Sequence, residues 1–168
     1  MYQSTVWLGM QGDFVIREAN ETDAALVARH RRLMFEEIHL TDDAAALDAM
    51  TAEFEPWCRQ RLRTGEYRHW FAEREGHVAA GAGVWLFAWP SAPLDIKGRR
   101  GNILNVWTEI PFRKQGLARR MTQVAIECCR QHGVRTVTLT ASKFGRHLYE
   151  SMGFQQTNDM KLLLLEAE

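Results

Sequence analysis

The sequence predicts an α/β domain in which one mixed sheet carries helices on both faces. Two patterns predict it. Short runs rich in β-branched and aromatic residues recur between glycine and proline breakers, at 14–17, 67–74, 77–87, 102–108, 135–140 and 160–165. Apolar residues at helical spacing fill the intervals between Thr22 and Ile38, Thr41 and Gly65, and Leu117 and Gln131, with a shorter one from Ser142 to Ser151. The resulting order is β-αα-β-β-β-α-β-α-β, and a further short strand at 154–156 brings the sheet to about six to seven strands.

The first strand is Phe14-Val15-Ile16-Arg17, and Asn20 or Thr22 caps the helix that follows. Leu26, Val27, His30, Leu33, Met34 and Ile38 form that helix's apolar stripe, with Arg29, Arg31, Arg32 and Glu36 mostly off it. Thr41-Asp42-Asp43 opens a second helix through Leu47, Met50 and Phe54, which Pro56 kinks or restarts before Gly65. Tyr67 to Arg74 is a strand, Glu75-Gly76 a tight hairpin turn, and His77 to Phe87 the return strand. That strand holds Gly81 and Gly83, and glycine inside a strand marks a bulge or a close approach. The loop 89–101, with Pro90, Pro93, Gly98 and Gly101, is either a mobile lid or a surface connection. Gly133 ends the third helix, Arg135 to Thr140 alternates as a strand, and Met160 to Leu165 is a last strand.

Length and composition narrow the class. At 168 residues, 46% apolar and 25% charged, the chain reads as a short N-terminal extension, 1–12, and one domain, 13–168. Zero formal net charge argues against a general nucleic-acid or membrane-surface binder. The basic pairs Arg99-Arg100, Arg113-Lys114 and Arg119-Arg120 cluster around one stretch instead. The N-terminus has no signal-peptide pattern, and no apolar run is long enough to span a bilayer. Cys58, Cys128 and Cys129 are odd in number and lack zinc-ligand spacing, so no metal and a reducing, cytoplasmic setting are expected.

The stretch Asn102 to Met121 is a strand, a turn and a helix start. Ile103, Leu104, Val106 and Trp107 build the strand, Pro111 interrupts it, and Leu117, Met121, Val124 and Cys128 mark one face of the helix. The junction Arg113-Lys114-Gln115-Gly116-Leu117-Ala118 carries two cations and small residues where a helix presents unpaired N–H groups. Those donors and the macrodipole make the turn an anion site.

These residues resemble the GCN5-related N-acetyltransferases. Arg113-x-x-Gly116-x-Ala118 matches that family's pyrophosphate motif, (Arg/Gln)-x-x-Gly-x-(Gly/Ala), after the fourth strand and at the head of the third helix. Leu148-Tyr149-Glu150-Ser151-Met152-Gly153-Phe154 resembles its LY-x-x-x-GF segment, and Ile16-Arg17-Glu18-Ala19 with Thr22-Asp23-Ala24 its first strand and helix start. The resemblance covers about Phe14 to Leu165. It implies a mostly antiparallel sheet with a splay between strands 4 and 5, and acetyl-CoA as co-substrate. It places the pyrophosphate on the backbone of Gln115, Gly116, Leu117 and Ala118, beside Arg113, Lys114 and Arg119. It runs the pantetheine arm along Val106, Trp107 and Thr108, with Ser142 across the gap. Two positions depart from the family pattern. Pro111 stands two residues before Arg113 where members often have proline three before, and Ala141-Ser142-Lys143 replaces a frequent asparagine, leaving Ser142 as the substitute.

The resemblance makes Tyr149 the donor of a proton to the departing thiolate; packing of a short helix is the other reading of that tyrosine. Glu109 is either the acceptor of the amine's proton or a charged strand end meeting solvent. Arg146 and His147 fit an exposed helix face as well as they fit acceptor binding. Trp57, Trp70, Trp85, Phe87 and Trp89 read mainly as core. The implied activity is transfer of an acetyl group from acetyl-CoA to an amine of a small molecule or peptide, by direct attack in a ternary complex. The alternative is a non-catalytic acyl-CoA-binding or regulatory domain. Neither reading involves nucleic acid or membrane, and the chain is expected as a monomer or a homodimer, with Met160 to Leu165 a candidate edge.

Overall fold

Five strands in sequence order, β1 (Val15–Glu18), β2 (Tyr67–Arg74), β3 (His77–Ala88), β4 (Arg99–Thr108) and β5 (Thr136–Leu139), form one sheet in the computed structural model, which describes residues 14–164. The expected N-terminal extension lies outside the described residues. The first four strands are antiparallel, and β5 runs parallel to β4. Glu75 and Gly76, at φ 51° and 77°, make the β2–β3 turn, both in the left-handed region that a primed hairpin turn requires.

The sheet has fewer strands than the sequence predicts. Among the described residues, 154–156 and 160–164 pair with no strand, and Leu165 lies outside those residues. The reason is physical: every residue from 155 to 164 is exposed, and β propensity makes a strand only where a ladder partner takes up its N–H and C=O groups.

Two helices cover one face. Asn20 caps a 3-10 turn, Glu21–Asp23, that leads into α1 (Ala24–Glu37): its side chain accepts from Thr22 N at 2.8 Å, and the Asp23 carboxylate accepts from Asn20 N at 2.9 Å. Asp43 caps α2 (Ala44–Thr64) by accepting from the N–H groups of Ala45 and Ala46, and Gly65 ends it at φ 75°. Of the two readings offered for Pro56, a kink or a restart, the restart is ruled out: α2 runs through it as one helix. Leu47, Phe54 and Cys58 are buried on both sides of it, and Trp57 stacks on Phe54 at 5.4 Å, so packing holds the two halves in one helix. On the other face lies α3 (Leu117–Gln131), burying Leu117, Met121, Ala125 and Cys128, while Val124 sits half-buried at the edge of that stripe.

The strands divide their side chains by alternation. From β2, Tyr67 and Phe71 join Val27, Phe54 and Cys58 under α1 and α2, while Trp70 and Ala72 join Met121 and Ala125 under α3. The two glycines of β3 mark a close approach. A Cβ at Gly81 would lie 2.6 Å from His69 Nε2, and one at Gly83 only 2.2 Å from Tyr67 Oη. Two large polar rings of β2 therefore fill the space that β3 leaves empty.

Two features of β4 position the site. Its ladder with β3 shifts register between Gly81 and Gly83, and Asn105 takes up the extra residue at φ 55°. Its ladder with β5 stops at Ile103↔Leu139, so no β5 residue pairs with 104–108: this is the splay. The connection after β3 is no cover for that end. Trp89 N donates to Gly98 O at 2.7 Å, and Asp95, buried, accepts from Thr136 Oγ1 at 2.8 Å, fastening the loop to the start of β5 at the opposite end of the sheet.

Candidate active site

The sequence Ile110-Pro111-Phe112 turns the chain out of β4 as a single 3-10 turn, with proline at its start, where a missing N–H costs nothing. Arg113 is extended, Lys114 and Gly116 are left-handed at φ 62° and 76°, and α3 begins at Leu117 with no side-chain cap. Its first N–H groups therefore point out of the helix end without a protein partner of the usual kind. A Cβ built on Gly116 meets nothing within 4 Å, so the backbone there borders open space.

That space is a cleft of about 430 Å³. Val106, Trp107 and Thr108 form one wall, Arg113, Lys114, Gly116, Leu117, Ala118 and Arg119 the floor, and Ser142 and Tyr149 the opposite wall. Most of the residues singled out from sequence thus meet in one place. Gln115 is exposed and does not line the cleft, and neither does Glu109. Thr108 Oγ1 is buried with no hydrogen-bond partner among the described residues, a polar atom left for a ligand. Ser142 Oγ accepts from Gly145 N at 3.2 Å and so shapes the turn into α4 (Arg146–Glu150).

The side chain of Arg113 is already engaged. Its guanidinium lies 5.0 Å from the centre of the Trp107 ring, donates to Thr108 O at 3.1 Å, and grips both oxygens of Glu37 at 2.9 and 2.5 Å. It acts as a strut between α1 and the turn, so Lys114 and Arg119 are the cations left to face an anion. Arg119 is steadied by Ser151, to whose Oγ it donates at 2.6 Å. Tyr149 is half-buried in α4, its ring edge-on to Phe154 at 5.9 Å, and partial burial raises its phenol above the ordinary value. His147 is exposed outside the cleft, and Arg146 pairs with Gln156.

Glu109 directly follows β4, at the start of the Ile110–Phe112 turn. Burial alone would raise its carboxyl, but the hydrogen bond from Arg29 Nη1 at 2.6 Å and the charges of Arg29 and His30 outweigh that and hold it low. His30 Nε2 lies 3.3 Å from the same oxygen, and burial drives this imidazole down to about 4 against the pull of Glu109. A second buried chain runs alongside: Arg31 Nη1 donates to Asn105 Oδ1 at 2.9 Å, Asn105 Nδ2 donates to Tyr67 Oη at 2.8 Å, and Tyr67 Oη meets His69 Nδ1 at 3.0 Å. Burial holds His69 down to about 3.

These two histidines set a pH dependence. The unfolded chain takes up their protons near pH 6.5, whereas the folded chain takes them up only near 4 and 3. As pH falls through that window the unfolded state binds more protons, so stability drops by about 1.4 kcal/mol per pH unit for each histidine. Asp23 and Glu109, both held low, add their losses only below the ordinary carboxylate range. Urea denaturation should therefore show a steep loss of stability between pH 6.5 and 4.5. A flat profile there would mean that neither ring is buried neutral.

The three cysteines are free and buried, none lines the cleft, and burial raises each thiol, Cys58 and Cys129 to about 12. Thiolate chemistry has no place in this site. Among the described residues no cluster of His, Cys, Asp or Glu is placed to hold a metal ion, and no helix is long and apolar enough to cross a membrane. Sequence reasoning missed Arg29, Glu37 and Asn105. Asn105 carried a signal, a polar residue at an inward strand position; the two ion-pair partners carried none.

The chain is similar to known proteins in sequence and fold. A family model described as "Acetyltransferase (GNAT) family" matches residues 29–154. A GCN5-related N-acetyltransferase from Ralstonia eutropha JMP134 is 32% identical, with a TM-score of 0.84 over 90% of this chain and 98% of that one. A predicted acetyltransferase from Clostridium acetobutylicum, solved with acetyl-CoA, is 24% identical, with a TM-score of 0.79 over 90% and 96% of the two chains. A ribosomal-protein-alanine N-acetyltransferase from Brucella melitensis biovar Abortus 2308 shares the fold at 14% identity and a TM-score of 0.65, over 92% and 99%. No curated protein matches the chain.

Proposed function

This chain belongs to the acetyltransferase (GNAT) family, and on that premise we propose that it moves an acetyl group from acetyl-CoA to an amine of a small molecule or peptide, by direct attack within a ternary complex. The observation that carries the reading is the cleft itself: an uncapped helix end, two cations, the unpaired side of β4 and a half-buried phenol meet around one space of about 430 Å³. The Clostridium relative is solved with acetyl-CoA, which supports the choice of donor.

Acetyl-CoA brings an activated thioester, and the chain supplies the rest. The N–H groups of Gly116, Leu117 and Ala118 hold a diphosphate, with Lys114 and Arg119 beside them. The stretch Val106–Thr108, left without a β5 partner, offers main-chain groups and the Thr108 hydroxyl to an extended arm, and one of its N–H groups polarises the acyl carbonyl. Tyr149 keeps its proton throughout the neutral range because burial raises it, and donates that proton to the departing sulfur. Glu109 stays ionised. From outside the cleft lining it reaches the acceptor's ammonium through water, and its low pKa suits it to pass the proton on rather than to keep it. Three buried free thiols suit a reducing compartment, and on that ground we assign the enzyme to the cytoplasm.

The test is mass spectrometry of products after incubation with acetyl-CoA and an amine panel: peptide N-termini, lysine peptides, polyamines and aminoglycosides. At least one acetylated product is expected, with its rate saturating in acetyl-CoA. Tight acetyl-CoA binding without product from any amine would instead identify an acyl-CoA-binding module.

A further inference from the structure

The guanidinium of Arg31 is half-buried between α1, α2 and β4, and among the described residues no carboxylate meets it. Elsewhere this chain covers a guanidinium by giving it an acid: Arg17, Arg29, Arg32, Arg68 and Arg113 each hold a carboxylate. Those bonds raise Arg17 and Arg68 above the ordinary value, whereas burial lowers Arg31. Asp23, Glu37 and Glu109 are already taken, by Arg17, Arg113 and Arg29. A cation drawn out of water without a counter-charge is costly, and an anion arriving from outside relieves that cost.

The surroundings of Arg31 leave such an anion a place to bind. Aromatic rings hold the cation, with ring centres 4.8 Å away at Phe35 and 4.7 Å away at Phe54. Contacts of this kind engage the flat faces of a guanidinium and leave its edges. On the edges, Nη1 donates to Asn105 Oδ1 at 2.9 Å, and the enclosed Nε has no hydrogen-bond partner among the described residues. What is left is the Nε–Nη2 edge. By the same edge Arg68 grips both oxygens of Glu18, at 2.7 and 2.9 Å. Asn105 is the bulge of β4 and directly precedes Val106–Thr108, so Arg31 is anchored beside the stretch given above to the acyl arm.

Given the acetyl-transfer reading, on which this rests, we propose that the free edge of Arg31 receives the carboxylate of the acceptor, so that the amine acetylated belongs to an amino acid rather than to a polyamine or an aminoglycoside. The carboxylate takes no part in the bond changes. The amine nitrogen bonds the acyl carbon as the C–S bond breaks, the amine's proton leaves through water, and the sulfur takes the proton of Tyr149. The product is an N-acetyl amino acid.

Turnover of amino acids against their own carboxamides, which differ in that one charge, tests the assignment. At least one amino acid should be acetylated with kcat/KM about 100-fold above its carboxamide, and polyamines and aminoglycosides should do no better than the carboxamide. Arg31→Gln, which keeps an amide N–H for Asn105, should bring that preference to within about threefold of unity, through a raised KM for the amino acid rather than a lowered kcat. Arg31→Lys keeps the charge without the fork and should restore part of the preference. Equal loss on amino acid and carboxamide, with a lowered urea midpoint, would make Arg31 a structural residue and overturn the proposal. Equal turnover of the two by the parent, or products from anion-free amines alone, overturns it while leaving acetyl transfer standing. Acetyl-CoA binding with no product from any amine removes acetyl transfer, and the amino-acid acceptor with it.

Discussion

Gly116→Glu will bind acetyl-CoA roughly 1000-fold more weakly than the parent chain. The residue sits at φ 76° at the head of α3, facing open space. A side chain there carries a left-handed penalty of about 1–2 kcal/mol. A carboxylate about 4 Å from a phosphate adds repulsion on the order of 4 kcal/mol at an effective dielectric constant near 20, which is where the thousandfold comes from. Gly116→Asn separates the two causes, because asparagine tolerates the conformation and brings no charge; its loss should be about tenfold or less. Isothermal titration reads both. Unchanged affinity in the glutamate variant would remove the diphosphate from this turn.

Tyr149→Phe should lower kcat by about 100-fold, the low end of what a positioned acid contributes, while coenzyme affinity changes by less than about threefold. The phenol ring packs against Phe154, and phenylalanine keeps that packing. Burial raises the parent's phenol, so the acid form persists above the ordinary tyrosine value and is lost only as pH climbs through the raised one. The alkaline limb of the parent's kcat profile should therefore lie high, and it should vanish in the variant. Equal turnover in the two proteins would assign the proton to water or to another donor.

What was legible in the sequence was what is local. The junction from Arg113 to Ala118 carries its conformation in consecutive residues, so the helix start and the anion site follow from spacing. The Glu75-Gly76 turn and the Asp43 cap are local in the same way. Legibility fails where a side chain's partner lies far along the chain. Arg113 reads as a phosphate-binding cation until Glu37, 76 residues away, is seen to hold it. Glu109 reads as a free base until Arg29, 80 residues away, is seen to pin it low. The bulge at Asn105 depends on register with Gly81 and Gly83, which no single-strand pattern encodes. At Met160–Leu164 the composition favours a strand, but no ladder partner stands beside it among the described residues.

The empty places at Gly81 and Gly83 have an evolutionary consequence. With Tyr67 and His69 occupying the volume that their missing side chains leave, the four positions form one inherited unit, in which an enlargement on β3 survives only alongside a reduction on β2. The buried polar chain from Arg31 to His69 hangs on that bargain. Divergent relatives should therefore change these positions in pairs.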